Sequence, residues 1–205
     1  MLFRSVANPN LTASRSIAGL EFTSGTGAWV FTGSGTSTRV LTLGASGIVN
    51  NSSSTQTFTG LRLRISLGAN STFNGETGSL VFDATMAGLY LNSYNLILTG
   101  SSTTNVISEV MSGTGGSITK TGSGTWTLSG ANTYTGATNI GTAGGASGGT
   151  LAYGANNVLS TGAVNVYGGT LAVGTYTDTI GALNLGGGAS GTTANVTGSG
   201  TLTLG

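Results

Sequence analysis

The sequence repeats itself at a spacing of about twenty residues, and this self-similarity restricts the fold more than any other feature. Residues 148–154 read GGTLAYG, and residues 168–174 read GGTLAVG. Apolar and polar residues alternate within such units, as in the LRLRISL of residues 61–67. Alternation with period two indicates strands with one buried face. A unit this short cannot bury that face alone, so the copies are expected to stack around a continuous core.

Candidate strand positions follow one another at intervals of 18–24 residues. They are Leu20, Leu41, Leu61, Leu80, Leu98, Ile118, Ile140, Val164, Leu183 and Leu202. We therefore predict an all-β fold, a parallel β-solenoid of about ten coils with roughly twenty residues in each. Residues 1–205 are expected to form a single domain. A β-sandwich with strands about every 8–12 residues is the alternative, but the twenty-residue repeat favours the solenoid.

The composition suits such a solenoid. Glycine, threonine, serine and asparagine contribute 38, 36, 25 and 16 of the 205 residues. Glycine permits tight corners, threonine fits strands, and asparagine tolerates left-handed backbone at bends. The chain has one proline, and a proline inside a coil would remove a ladder hydrogen bond.

The same composition excludes several function classes. The chain has no cysteine and no histidine, so the usual ligands of zinc, haem and iron–sulfur clusters are missing, as are thiol and imidazole catalysts. A net charge of +1 gives no field to hold nucleic acid or an anionic membrane. We expect no enzyme activity, no catalytic residues, no cofactor, no bound metal and no nucleic-acid partner. No apolar segment approaches the about 18 residues of a membrane helix, so direct membrane insertion is not expected.

The amino-terminal residues 1–9, MLFRSVANP, lack the apolar stretch of a signal peptide. If the protein is exported, we expect this chain to be a fragment of a longer one.

One segment is more specific than the rest. Residues 116–138 read GSITKTGSGTWTLSGANTYTGAT. This segment resembles the autotransporter-associated β-strand repeat, also called the passenger-associated transport repeat, whose pattern is roughly KTGSG, a strand, and then SGANTYTG. Trp126 stands where leucine is commoner, and Ala137 where glycine is commoner. The motif lies within residues 116–140, and its residues, which we expect to be structural, are Lys120, Thr121, Gly122, Ser123, Gly124, Trp126, Leu128, Gly130, Asn132, Tyr134 and Gly136.

The resemblance implies a right-handed parallel β-helix in the passenger region of a bacterial protein that is secreted or displayed on the outer-membrane surface by type V secretion. The implied role is that of a passenger or stalk segment that assists export and displays other regions. The implied partners are the adjoining passenger coils and a C-terminal β-barrel translocator of the parent protein. An adhesin-like module that binds a surface glycan is the alternative function.

Two further sets of residues bear on these alternatives. Arg62 and Arg64 are expected to point outward, with Arg64 stacked beside Asp83 of the next coil. The aromatic residues that could contact a glycan are Trp29, Phe31, Trp126, Tyr134, Tyr153, Tyr167 and Tyr176. Trp126 is in phase with Leu128 and is expected to point into the core, whereas Tyr153 and Tyr167 adjoin glycine-rich corners and are expected to be exposed.

Overall fold

The computed structural model describes residues 10–205, and this part of the chain contains 22 strands and no helix. The strands are β1 (Asn10–Leu11), β2 (Arg15–Phe22), β3 (Trp29–Gly33), β4 (Arg39–Asn50), β5 (Gln56–Phe58), β6 (Leu63–Leu67), β7 (Ser71–Gly75), β8 (Leu80–Phe82), β9 (Leu89–Tyr90), β10 (Asn95–Thr99), β11 (Asn105–Ile107), β12 (Met111–Ser112), β13 (Ser117–Lys120), β14 (Thr125–Leu128), β15 (Thr138–Ile140), β16 (Thr150–Tyr153), β17 (Val164–Val166), β18 (Gly169–Gly174), β19 (Thr177–Ile180), β20 (Leu183–Leu185), β21 (Ala194–Gly198) and β22 (Thr201–Leu204). The signal-peptide prediction concerns residues 1–9, which lie outside the described residues.

The strands wind around a three-sided solenoid in which neighbouring strands pair in parallel. Face 1 is a nine-stranded sheet in the order β1-β3-β5-β8-β11-β14-β16-β18-β21. Face 2 holds β6, β9 and β12, and later β19 and β22; face 3 holds β7, β10, β13, β15, β17 and β20. The chain visits the faces in turn, so that β5, β6 and β7 are followed by β8, which pairs with β5. The long strand β4 runs from face 2 into face 3, because its first half pairs with β6 and its second half with β7.

This arrangement confirms the predicted all-β solenoid and not the sandwich. The coil length is close to the prediction, since a coil step on face 1 ranges from the 20 residues between Thr150 and Thr170 to the 27 between Trp29 and Gln56. Nine strands on face 1 give about eight turns, which roughly matches the predicted ten. The GGTL repeat itself is confirmed, because Thr150 and Thr170 are register partners in neighbouring coils.

The ten positions predicted as one series of stacked strands lie on different faces of the solenoid. Leu41 lies on face 2, Leu80 on face 1 and Leu98 on face 3, while Leu61 precedes β6 and is 75% exposed. All three faces carry the same period-two alternation, so a spacing near twenty residues can pass from one face to another without a visible break.

The predicted pairing of Arg64 with Asp83 is wrong for the same reason. Arg64 lies on β6 of face 2, where its guanidinium carbon is 4.6 Å from the centroid of the Tyr90 ring. Asp83 follows β8 on face 1, and its Oδ1 accepts a hydrogen bond from the backbone N–H of Thr85.

The interior is a column of apolar side chains that changes in character along the chain. In the amino-terminal coils, the ring of Phe82 stacks on Phe58 at 4.9 Å and on Phe73 at 4.7 Å between centroids. In the later coils aliphatic side chains such as Leu151 and Leu171 fill the same column and are fully buried. The part of the chain that the structure describes has no helix of the length and apolar character that a membrane span needs.

Candidate functional site

The motif residues occupy one complete turn of the solenoid. Lys120 ends β13 on face 3, and the corner that follows leads to β14 on face 1, which carries Trp126 and Leu128. Asn132 and Tyr134 lie on the face 2 segment, and β15 then returns the chain to face 3. Ile118 pairs with Thr138, which closes the turn after twenty residues.

Lys120 bridges two corners of the solenoid from inside. The side chain is fully buried, and its Nζ donates to the carbonyl oxygens of Thr121 at 2.6 Å, Gly122 at 3.1 Å and Gly148 at 2.8 Å. Gly148 belongs to the corner of the next coil. Burial lowers the pKa of the Lys120 ammonium to about 8, so the group is still charged at neutral pH.

Trp126 connects the motif coil to the coil before it. The side chain is fully buried, as predicted, and its indole Nε1 donates to the carbonyl oxygen of Thr99 at 3.0 Å. Its ring also lies 6.5 Å from that of Phe82, at the end of the aromatic stack. Leu128, two residues later on the same face, is fully buried as well.

On face 2 the repeat coil has no strand, and the side chain of Asn132 makes the hydrogen bonds to the neighbouring coils there. Its Oδ1 accepts from the backbone N–H of Met111 at 2.7 Å, and its Nδ2 donates to the carbonyl oxygen of Val158. Met111 lies one coil before and Val158 one coil after. One amide side chain therefore links three successive coils where no strand is formed.

Tyr134 is buried close to the next corner. Its hydroxyl lies 2.6 Å from the Oγ1 of Thr138, and only 1% of the residue is exposed. Burial raises the pKa of the phenol to about 12.

The remaining motif residues shape the corners. Gly122 has a φ of +70°, a conformation that other residues rarely adopt. A Cβ at Gly130 would lie 2.6 Å from the carbonyl oxygen of Glu109 in the preceding coil, so a side chain does not fit there. The backbone N–H of Thr121 donates a hydrogen bond to the carbonyl oxygen of Leu98 at 2.8 Å. Of the motif residues, Ser123 is exposed, Thr121, Gly122 and Gly136 are half-buried, and the rest are buried.

Residues 118–145 match the profile of the passenger-associated-transport-repeat. The chain carries this repeat. The matched residues overlap the predicted motif at 116–140 and extend into the corner after β15. The repeat associates this coil with the passenger segments of autotransporter-type proteins. The chain matched no curated protein and no solved structure.

Sequence reasoning missed one residue that acts in the same way as Asn132. Asp178 is 3% exposed, and its two carboxylate oxygens accept from the backbone N–H groups of Leu159 at 2.9 Å and Thr179 at 2.8 Å. It thereby links the coil after the repeat to the following one on face 2. The available signal was its position, since it is the one charged residue after Lys120.

The predicted glycan-contacting aromatics do not form one exposed strip. Trp29, Phe31 and Tyr134 are buried, and Tyr153, which was expected to be exposed, is 6% exposed. Tyr167 and Tyr176, on the other hand, are half-buried.

The repeat coil borders a groove of about 440 Å³ on face 2, whose lining includes Asn132, Tyr134, Ser160 and Asp178. Within residues 10–205 no three acidic side chains lie close enough to hold a metal ion. The site contains one buried ammonium, a neutral phenol and an amide, all engaged with backbone or hydroxyl groups of the solenoid. This arrangement joins coils together.

Proposed function

We propose that the chain is a structural, non-enzymatic passenger or stalk segment of a bacterial protein that is secreted or displayed at the outer-membrane surface. The passenger-associated-transport-repeat would assist export by locking newly formed coils in register. The observation that carries this proposal is the direction of the motif side chains. Lys120, Trp126 and Asn132 all bond to the backbone of neighbouring coils.

The physical basis of the proposal is that the motif side chains strengthen the interfaces between the repeat coil and its two neighbouring coils. In a solenoid each coil contacts only its neighbours, so stability is the sum of coil and interface contributions. A hydrogen bond to a charged group contributes about 1.5–3 kcal/mol, and a neutral one about 0.5–1.5 kcal/mol. The bonds of Lys120 and Asn132 add such contributions to the interfaces on both sides of the repeat.

Export would follow from this local stability. A chain that emerges from a translocator cannot slide back once a coil has docked on the coil already formed. The repeat coil supplies a firmly held template, and the following coils add to it one by one. The lack of cysteine fits this route, because no disulfide can form that would block an extended chain in a pore. The partners in this proposal are the adjoining passenger coils and a C-terminal β-barrel translocator.

The proposal is tested by deleting single coils from this chain placed as the passenger of a type V translocator. Removing residues 118–137 deletes the repeat coil in register, because Ile118 pairs with Thr138. Removing residues 150–169 deletes another coil of the same length, because Thr150 pairs with Thr170. Surface display is measured by protease accessibility on whole cells.

We expect the deletion of residues 118–137 to reduce surface display several times more than the deletion of residues 150–169. Equal display of the two deletion variants would contradict the proposal, because any coil would then serve as well as the repeat coil. Lys120→Met gives a second comparison with Arg62→Met, since Lys120 is buried in the repeat and Arg62 is exposed outside it.

A further inference from the structure

A second feature of the solenoid lies at the corner between face 3 and face 1. Two glycine-rich loops, residues 141–149 and 186–193, widen this corner and bond to each other. The N–H of Gly144 donates to the carbonyl of Gly187 at 2.8 Å, and that of Ala189 donates to Gly145 at 2.9 Å. A pocket of about 190 Å³ lies beside the first of these loops. Its lining residues are Thr119, Asn139, Gly141, Thr142, Ala143 and Tyr167.

One side of this pocket is formed by Asn139, which is the last member of a ladder of hydrogen-bonded asparagine side chains. Asn139, Asn165 and Asn184 are register partners on three successive coils of face 3. Asn184 donates its amide to Oδ1 of Asn165, and Asn165 donates to Oδ1 of Asn139, both at 2.8 Å. Bonds in such a chain polarise one another, so the amide nitrogen of Asn139 is a strengthened donor at the end of the ladder.

The hydrogen-bonded run stops at the pocket. Thr119 is the register partner of Asn139 on the preceding coil, and its hydroxyl donates to Oδ1 of Asn95 at 3.1 Å. Its oxygen keeps acceptor capacity as a result. Within the described part of the chain no hydrogen bond joins the side chains of Thr119 and Asn139. A donor and an acceptor therefore face the pocket side by side.

Tyr167 supplies the apolar wall. The residue is half-buried, and a Cβ built on Gly187 would lie 3.6 Å from its ring, so the loop of residues 186–193 passes beside the ring. Gly141, which is buried, and Ala143, which is exposed, also line the pocket and add no bulky side chain to it. An aromatic face beside amide and hydroxyl groups offers one apolar and one polar wall to the same ligand.

The surroundings of the pocket are electrically neutral. None of the six lining residues is charged. The ammonium of Lys120 is buried inside the coil, and the carboxylate of Asp178 lies on face 2. An anionic or cationic ligand would find no counter-charge here.

We infer that this pocket binds one residue of a neutral saccharide. The C–H face of a pyranose ring would lie on Tyr167. A sugar hydroxyl, which both accepts and donates, would complete the interrupted run by accepting from the amide of Asn139 and donating to the hydroxyl of Thr119. The hydroxyl of Thr142 would hold a second sugar hydroxyl. This binding does not depend on the export role of the repeat.

The test is a titration of the isotope-labelled full chain with three neutral trisaccharides, maltotriose, cellotriose and N-acetylated chitotriose, followed by nuclear magnetic resonance of side-chain amides. We expect at least one trisaccharide to shift the amide signals of Asn139. Tyr167→Ala and Asn139→Ala should each weaken the affinity by about tenfold or more. Tyr90→Ala, on face 2, is the matched control and should bind within about twofold of the parent chain.

Ala143→Trp provides a variant that fills the pocket from an exposed position without removing any contact. It should abolish binding while the resonances of the other faces stay unchanged. The inference is overturned if none of the three trisaccharides shifts Asn139, or if binding persists in Tyr167→Ala and Ala143→Trp.

Discussion

Replacing Lys120 by methionine should destabilise the repeat coil strongly. Methionine fills a similar volume but donates no hydrogen bond, so the carbonyl oxygens of Thr121, Gly122 and Gly148 lose the donor that lies 2.6–3.1 Å away. An unpaired buried acceptor costs about 1–3 kcal/mol. Part of this loss is offset, because the variant no longer carries the desolvation cost of a buried ammonium, which is the cost that lowers the pKa of Lys120 to about 8. We expect a net loss of about 3 kcal/mol in the free energy of unfolding at pH 7.

The assay is urea unfolding in a Trp29→Phe background. The chain has two tryptophans, so the fluorescence then reports on Trp126 alone, which is buried in the repeat coil. Arg62→Met, at an exposed position, is the control and should change stability by no more than about 0.5 kcal/mol. If Lys120→Met is as stable as that control, the three carbonyl contacts do not stabilise the coil and the argument fails.

Three further predictions concern buried polar groups. Because burial lowers the pKa of Lys120 to about 8, the unfolded chain holds more protons than the folded chain between pH 8 and the ordinary lysine pKa of 10.5. The free energy of unfolding, measured with urea, should therefore rise over this range. Above pH 10 it should fall again, since the pKa of Tyr134 is raised to about 12; Lys120→Met should lack the rise. Asn132→Leu should cost about 2–4 kcal/mol in urea unfolding by leaving two backbone groups unpaired, and Thr133→Val, at the exposed neighbouring position, should cost less than about 0.5 kcal/mol. Glu109→Gln should raise the thermal midpoint at pH 7, because burial raises the pKa of this carboxyl and one of its oxygens has no hydrogen-bond partner; an unchanged or lowered midpoint would contradict this.

Period-two alternation and the GGTL repeat were enough to predict a solenoid, because both are consequences of stacking short strands. The face on which each strand lies was not predictable in the same way. The segment from Gly122 to Leu128 reads much like the segment from Gly198 to Leu204, yet β14 lies on face 1 and β22 on face 2. Similar strands serve different faces, so sequence similarity alone does not give the register.

The motif residues could be predicted as structural, but their partners could not. Gly148 accepts from Lys120 because the loop after β15 has a particular length, which no local pattern encodes. Tyr153 was assigned to the surface because a glycine-rich corner follows it. Its position two residues after the buried Leu151 was the better guide, since the alternation of β16 places both side chains inside. The pocket beside Tyr167 depends on two loops that meet across an intervening coil, and only the folded chain shows this.

The parallel ladders have a mechanical consequence. The backbone hydrogen bonds between coils run along the axis of the solenoid, so a pulling force along that axis acts on the bonds of one coil at a time. The rod should therefore peel from an end and not shear as a whole. Each coil of 20–27 residues would release about 70–90 Å of chain in a single-molecule extension experiment. The largest force should be needed where Lys120 and Asn132 join neighbouring coils.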